Sequence, residues 1–135
     1  MEANELRIGN YFYDRSNKIL RLDWWEHINK LASDMSVNGM KVHPMTEHIG
    51  NARPIPLTEE WLVKFGFTKD KKHTKCCDLK LENDFYLQGI GYGKSNFKYE
   101  VILTDSNDNE LTLVKHVHQL QNLYFALTNK ELTIK

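Results

Sequence analysis

Apolar positions along this chain follow two periods, and the switches between them predict its elements. The strongest helical signal lies over 117–127. There Val117, Leu120, Leu123, Tyr124 and Leu127 recur at helical spacing and fall on one side of a 3.6-residue wheel. Asn129 follows that pattern and can take the left-handed conformation that ends a helix. Leu132 and Ile134 then alternate with Thr133 and Lys135, which predicts a short closing strand at a sheet edge. A second, shorter helix is predicted from Thr58 as its cap. Glu59 and Glu60 occupy its first turn, Trp61, Leu62 and Phe65 form an apolar stripe, and Gly66 stops it. Pro54 and Pro56 force the approach to that helix to be extended.

The two-residue period predicts the strands. Residues 6–13 read as a strand with a bulge or bend at Gly9, and 18–22 as its return across a turn at 14–17. Trp24, Ile28 and Leu31 suit a short helix, but the paired Trp24 and Trp25 favour an extended reading beside strands that need a partner. Asn38-Gly39 within 33–40 is a hairpin signal, with a short strand at 40–43 after it. Further strands are predicted at 77–81, 85–87, 97–104 and 110–115, with a glycine-rich turn over 89–95 and a polar turn at 106–109. Strands, helix, strands, helix, strand is the order of an α+β protein with an antiparallel sheet and two helices. Residues 1–57 are expected to form a small barrel-like β lobe, and 58–135 an α+β sheet lobe sharing a core with it.

Composition narrows the function classes. A chain of 135 residues can bury a core without disulfides or metal. Its 18 basic and 18 acidic residues cancel, which argues against a general electrostatic grip on DNA or an anionic membrane and leaves room for a local basic patch. No apolar run approaches a membrane span, and the polar, acidic start is unlike a secretory signal. Cys76 and Cys77 are adjacent and poorly placed for a disulfide. A cytoplasmic protein without membrane contact is expected.

Three chemistries can be tested on spacing. Gly93-Lys94-Ser95 has the ending of a phosphate-binding loop, but the required first glycine falls on Gln88. Asp105, Asn107 and Asn109 alternate like the start of a calcium loop, yet Glu110 stands where that loop needs glycine. His73, Cys76 and Cys77 resemble part of a zinc site, but adjacent residues on a strand point oppositely. His43 or His48 would have to complete it. His116 and His118 flank the start of the last helix as solvent-facing or capping residues. No catalytic residue, metal or cofactor is expected, so the reading is of a non-enzymatic protein.

Two surfaces remain as candidates. Phe125 lies off the core stripe of the last helix. It is either a second buried contact or an exposed aromatic anchor for a partner, flanked by His118, Gln121 and Asn122. The other surface combines Lys71, Lys72 and Lys75 with Lys94, Lys98 and Tyr92, beside Phe97 and Tyr99. If those loops meet, lysines can track a phosphate backbone while an aromatic stacks a base; otherwise they are a solvated face.

Three phrases carry a resemblance: ELRIGNY at 5–11, PIPLTEEWLVKFGF at 54–67 and VHQLQNLYFALTNKEL at 117–132. Together they resemble a family of small uncharacterised proteins of Bacteroidota phages and integrated mobile elements. Asn129 stands where similar proteins usually have glycine, and both tolerate the cap conformation. The resemblance implies a setting in the host bacterial cytosol and no reaction. It implies a protein that binds a host macromolecule, a host protein or ribonucleoprotein complex, including as an inhibitor of a host-defence complex of the nuclease or CRISPR type. The alternative expectation is a nucleic-acid-binding accessory protein using the lysine–aromatic surface.

Overall fold

The computed structural model describes residues 6–14, 16–22, 52–92 and 98–135. The chain divides into two compact units, Met1–Ile55 and Pro56–Lys135. Among the described residues there are two helices and two antiparallel sheets, of two and five strands, so the class is α+β. No helix among them is long and apolar enough to cross a membrane.

In the first unit, β1 (Tyr11–Tyr13) pairs antiparallel with β2 (Ile19–Arg21), Phe12 facing Leu20. Asp14 builds the turn between them, its Oδ1 accepting from the backbone N–H of Ser16 (2.8 Å) and of Lys18 (2.9 Å), with Asn17 left-handed at φ 62. Arg53 exchanges both backbone bonds with Tyr13, each 3.0 Å, and its guanidinium donates to the Asp14 carbonyl at 3.1 Å. Phe12, Leu22 and Ala52 form the buried cluster, with Leu6 and Leu20 packed against it. The strand predicted over 6–13 begins only at Tyr11. Gly9, at φ +93, turns the chain so that its N–H reaches the Leu22 carbonyl (2.6 Å) while Leu22 donates to Asn10 (2.8 Å). The barrel-like lobe is corrected too: the described part is an open two-stranded sheet that does not close. The expectations for 24–31, 33–40 and 40–43 lie outside the described residues.

The second unit is a meander of five strands in sequence order: β3 (Thr68–Lys69), β4 (Cys76–Lys80), β5 (Tyr86–Tyr92), β6 (Lys98–Thr104) and β7 (Glu110–Val114). Residues facing each other across an antiparallel ladder share a face. Cys77, Gly89 and Val101 therefore lie on one side, with Leu87, Leu103, Gly91 and Tyr99; the buried positions cluster there. Asp78, Lys80, Tyr86, Gln88, Ile90, Tyr92, Lys98 and Glu100 occupy the other side. The glycine-rich turn expected over 89–95 is corrected by this register, because Gly89 and Gly91 lie inside the central strand. They are there for want of a side chain. A Cβ on Gly89 would come within 2.5 Å of Leu62 Cδ1, and one on Gly91 within 2.8 Å of Tyr99 Cζ.

Helix α1 (Glu59–Lys64) covers the buried side through that contact of Leu62 with Gly89. Thr58 Oγ1 accepts from the Trp61 N–H at 3.4 Å, and Gly66 takes φ +93 just past the helix, as its sequence predicts. The segment before it is extended. Leu57 donates to the Lys115 carbonyl (3.0 Å) and accepts from Tyr99 (2.8 Å), and Pro56 sits opposite His116. Helix α2 (Val117–Thr128) starts where Gln119 Oε1 accepts the His116 N–H (3.2 Å) and ends at Asn129, left-handed at φ 57. Asn83 ties the β4–β5 turn to this helix end by donating to the Leu127 carbonyl at 3.2 Å. The closing strand predicted at 132–135 does not form. Leu132 is buried and Ile134 exposed, and Lys135 donates its N–H to Lys64 (2.8 Å) with no ladder around it.

Candidate functional site

The α2 candidate changes most. His118 and Gln121 are each 1% exposed, while Asn122 and Phe125 are half-buried. The buried arc of the helix runs through Val117, His118, Leu120 and Gln121, whereas Leu123, Tyr124 and Leu127 are only half-buried. The arc is therefore rotated from the apolar stripe toward two polar residues, and Phe125 lies one turn along from Gln121 and two from His118 on it. His118 is corrected from solvent-facing to buried, its ring 6.0 Å from that of His116 at 21°. His116 keeps the capping position. The four residues do not make an exposed patch. No local signal marks a buried His and Gln, because both types are mostly surface residues.

The described members of the lysine–aromatic candidate lie at one end of the sheet. In an antiparallel meander, the β3–β4 turn and the β5–β6 connection leave the sheet at the same end. The register here puts Cys76, the first residue of β4, opposite Ile90, and Tyr92, the last of β5, opposite Lys98, the first of β6. Gly91 extends the contact by donating its N–H to the Lys75 carbonyl at 2.8 Å. Asp70 donates to the Cys76 carbonyl (2.9 Å) and Cys76 to His73 (3.0 Å), closing the turn that carries Lys71, Lys72 and Lys75. These three lysines and Lys98 are exposed, and Tyr92 keeps 51% of its surface in solvent. Lys94 and Phe97 lie outside the described residues.

Electrostatics at this end favour an anion. Glu59, Glu100 and Asp70 nearby are already engaged, whereas Asp78 makes no ion pair among the described residues. Glu59 pairs with Lys69, and Glu100 with Lys115 at 3.4 Å. The Asp70 carboxylate accepts the Lys72 N–H at 2.8 Å, and that bond holds its pKa below the usual carboxylate value against the opposing effect of burial, with a lesser bond from His73. The ammonium groups of Lys71, Lys72 and Lys98 make no ion pair among the described residues. The opposite end of the sheet carries more acidic than basic groups, with Glu82 and Asp84 in the β4–β5 turn and Asp105, Asp108 and Glu110 at the β6–β7 turn against Lys80 and Lys130, the latter paired with Glu82 at 3.7 Å. A formal charge of zero therefore conceals an uneven distribution along the strands.

The other chemistries do not assemble. Asp105 spends its carboxylate on the turn, Oδ1 accepting from Asn107 (2.9 Å) and Asn109 (3.0 Å) and Oδ2 from the Asn109 side chain (3.1 Å). Cys77 faces Gly89 on the buried side and Cys76 faces Ile90 on the other, and burial pushes both thiols above their ordinary value. Among the described residues no three His, Cys, Asp or Glu side chains come together as a metal site. Gly89 and Gly91 of the phosphate-loop-like stretch run in a strand, where their N–H groups serve the ladder, and Gly93-Lys94-Ser95 lies outside the described residues. No protein-family model, curated protein or solved structure matches this chain.

Proposed function

We propose that this is a non-enzymatic binding protein that engages nucleic acid through the basic end of its five-stranded sheet. The observation that carries the reading is the placement of exposed Lys71, Lys72, Lys75, Lys98 and Tyr92 at one end of the sheet in a chain of zero net charge. The turn that carries Lys71, Lys72 and Lys75 is tied by the Gly91–Lys75 bond to the end of β5, whose Tyr92 pairs with Lys98, and so several cations meet one stretch of phosphate backbone. In the phage or mobile-element setting implied by the resemblance, the target is host nucleic acid or the nucleic-acid component of a host-defence nuclease complex. Binding there would block the complex without chemistry. The α2 surface supports a protein partner less well, since two of its four residues are buried.

The test is fluorescence anisotropy with labelled oligonucleotides over a salt series. Four lysine–phosphate contacts predict that log K falls against log salt with a slope of about −3. Lys71→Ala with Lys72→Ala should flatten that slope by roughly 1.5. Absence of binding at about 50 mM salt, or a slope indifferent to those substitutions, would sink the proposal.

A further inference from the structure

We infer that the ligand is single-stranded, with an unpaired base stacked on Tyr92 and the flanking phosphates against Lys98 and the Lys71–Lys75 turn. This rests on the reading above and deepens it. Tyr92 ends β5 on the face of the sheet opposite α1, directly across the ladder from Lys98. Such cross-strand partners hold their Cβ atoms about 5 Å apart, so a base lying on the phenol ring brings its own phosphate within reach of the Lys98 ammonium. Lys75 stands opposite Gly91 and so shares the face of Gly91, and Lys71 and Lys72, in the turn that this bond ties to the end of β5, supply the second lysine group. Tyr92 has the surface such a platform needs, at 51% exposed against 1% for Tyr99 on the buried side of the neighbouring strand.

The same geometry disfavours a duplex. Paired bases present edges in grooves, and a ring lying against a sheet cannot reach their stacked faces. Toward the middle of the sheet the open side offers phosphate less, with Asp78 on β4 and with the Lys115 ammonium beside Glu100 already taken up by that carboxylate. Burial, then Asp70, raises the Asp78 pKa, but its carboxylate still adds no attraction. The strand is therefore confined to the basic end, with a footprint of about four nucleotides, the low end for single-strand binders.

Short oligo-dT and oligo-U are the probes, measured by anisotropy beside a hairpin duplex of equal charge. Either single strand should bind at least about tenfold more tightly than the hairpin, and Tyr92→Ala should remove about tenfold or more from single-strand affinity alone. Tyr92→Phe should retain affinity, and Tyr92→Trp should match it while showing indole quenching on binding. Lys71→Ala with Lys72→Ala should weaken single strand and hairpin alike. Equal affinity for both ligands with Tyr92→Ala inert and no quenching in Tyr92→Trp would overturn this inference and leave nucleic-acid binding standing. Loss of all oligonucleotide binding by the parent protein would remove both.

Discussion

The N–H of Gly91 donates to the carbonyl of Lys75 at 2.8 Å, one residue before β4 begins. That bond joins the lysine turn to the end of the central strand, and the position leaves no room for a side chain. A Cβ there would meet the Tyr99 ring at 2.8 Å, and Tyr99 is 1% exposed and cannot swing away. Gly91→Ala should cost about 1–3 kcal/mol of stability as overpacking. Urea unfolding of the parent and variant checks it; an unchanged midpoint would mean that the ring moves freely.

Gly89 makes the companion case against a helix. Its added Cβ would press within 2.5 Å of Leu62 Cδ1 and 3.4 Å of the Cys77 carbonyl. Leu62 is fully buried, so α1 itself must shift. Gly89→Ala should destabilise by about 1–3 kcal/mol, and the double change Gly89→Ala with Leu62→Val should recover part of the loss. Strict additivity of the two in thermal melts would show that the contact is not the cause.

These two glycines mark where reading the sequence alone stops. Glycine most often signals a turn, and Gly89 to Gly93 reads as one until the register shows Leu62 and Tyr99 filling the space above the strand. Local chemistry was legible elsewhere. Thr58, Gly66 and Asn129 cap helices by rules contained within a few residues, and Asp14 and Asp105 build their turns in the same way. Burial of His118 and Gln121 depends on what packs against α2, and no pattern within the helix records it. The lysine groups were visible as residues, but their placement at one end of the sheet depends on pairing between strands remote in sequence.

Asn129 tests a cap that was legible. It stands at φ 57, with its N–H on the Phe125 carbonyl at 2.8 Å. Asn129→Gly should be neutral or stabilise by up to about 1 kcal/mol, because glycine adopts this conformation without steric cost. Asn129→Val should destabilise by about 1–2 kcal/mol, because a β-branched residue is strained at positive φ. Differential scanning calorimetry distinguishes the two, and equal melting temperatures would contradict the assignment.

Tyr99 makes stability depend on high pH. Burial first, and then the Glu59 carboxylate whose Oε2 its hydroxyl reaches at 3.4 Å, pushes the phenol up to about 12. In the unfolded chain the phenol ionises near its ordinary value of about 10, so the folded state holds the proton more tightly. The contribution is complete below pH 10 and is lost as pH rises toward 12, amounting to at most about 3 kcal/mol. Lys69 is also raised, by its bond to Glu59, so the comparison must be made within a pair of proteins. Tyr99→Phe should show a smaller loss of stability than the parent between about pH 9.5 and 11.5 in urea titrations. Parallel curves would remove Tyr99 as the cause.

The acidic end of the sheet gives the last test, because it separates a local site from an effect of total charge. Glu82 is exposed in the β4–β5 turn and Glu110 opens β7 opposite Thr104, six residues along β6 from Lys98. At about 3.3 Å per residue the strand sets roughly 20 Å between Glu110 and the lysines. The Debye length is about 8 Å at 0.15 M salt and about 30 Å at 0.01 M. Glu82→Lys with Glu110→Lys changes the net charge by +4, yet it should leave oligonucleotide affinity within about twofold at 0.15 M and raise it several-fold at 0.01 M. An equal rise at both salt concentrations would show that the nucleic acid touches the acidic end itself, and the short footprint at Tyr92 would then be untenable.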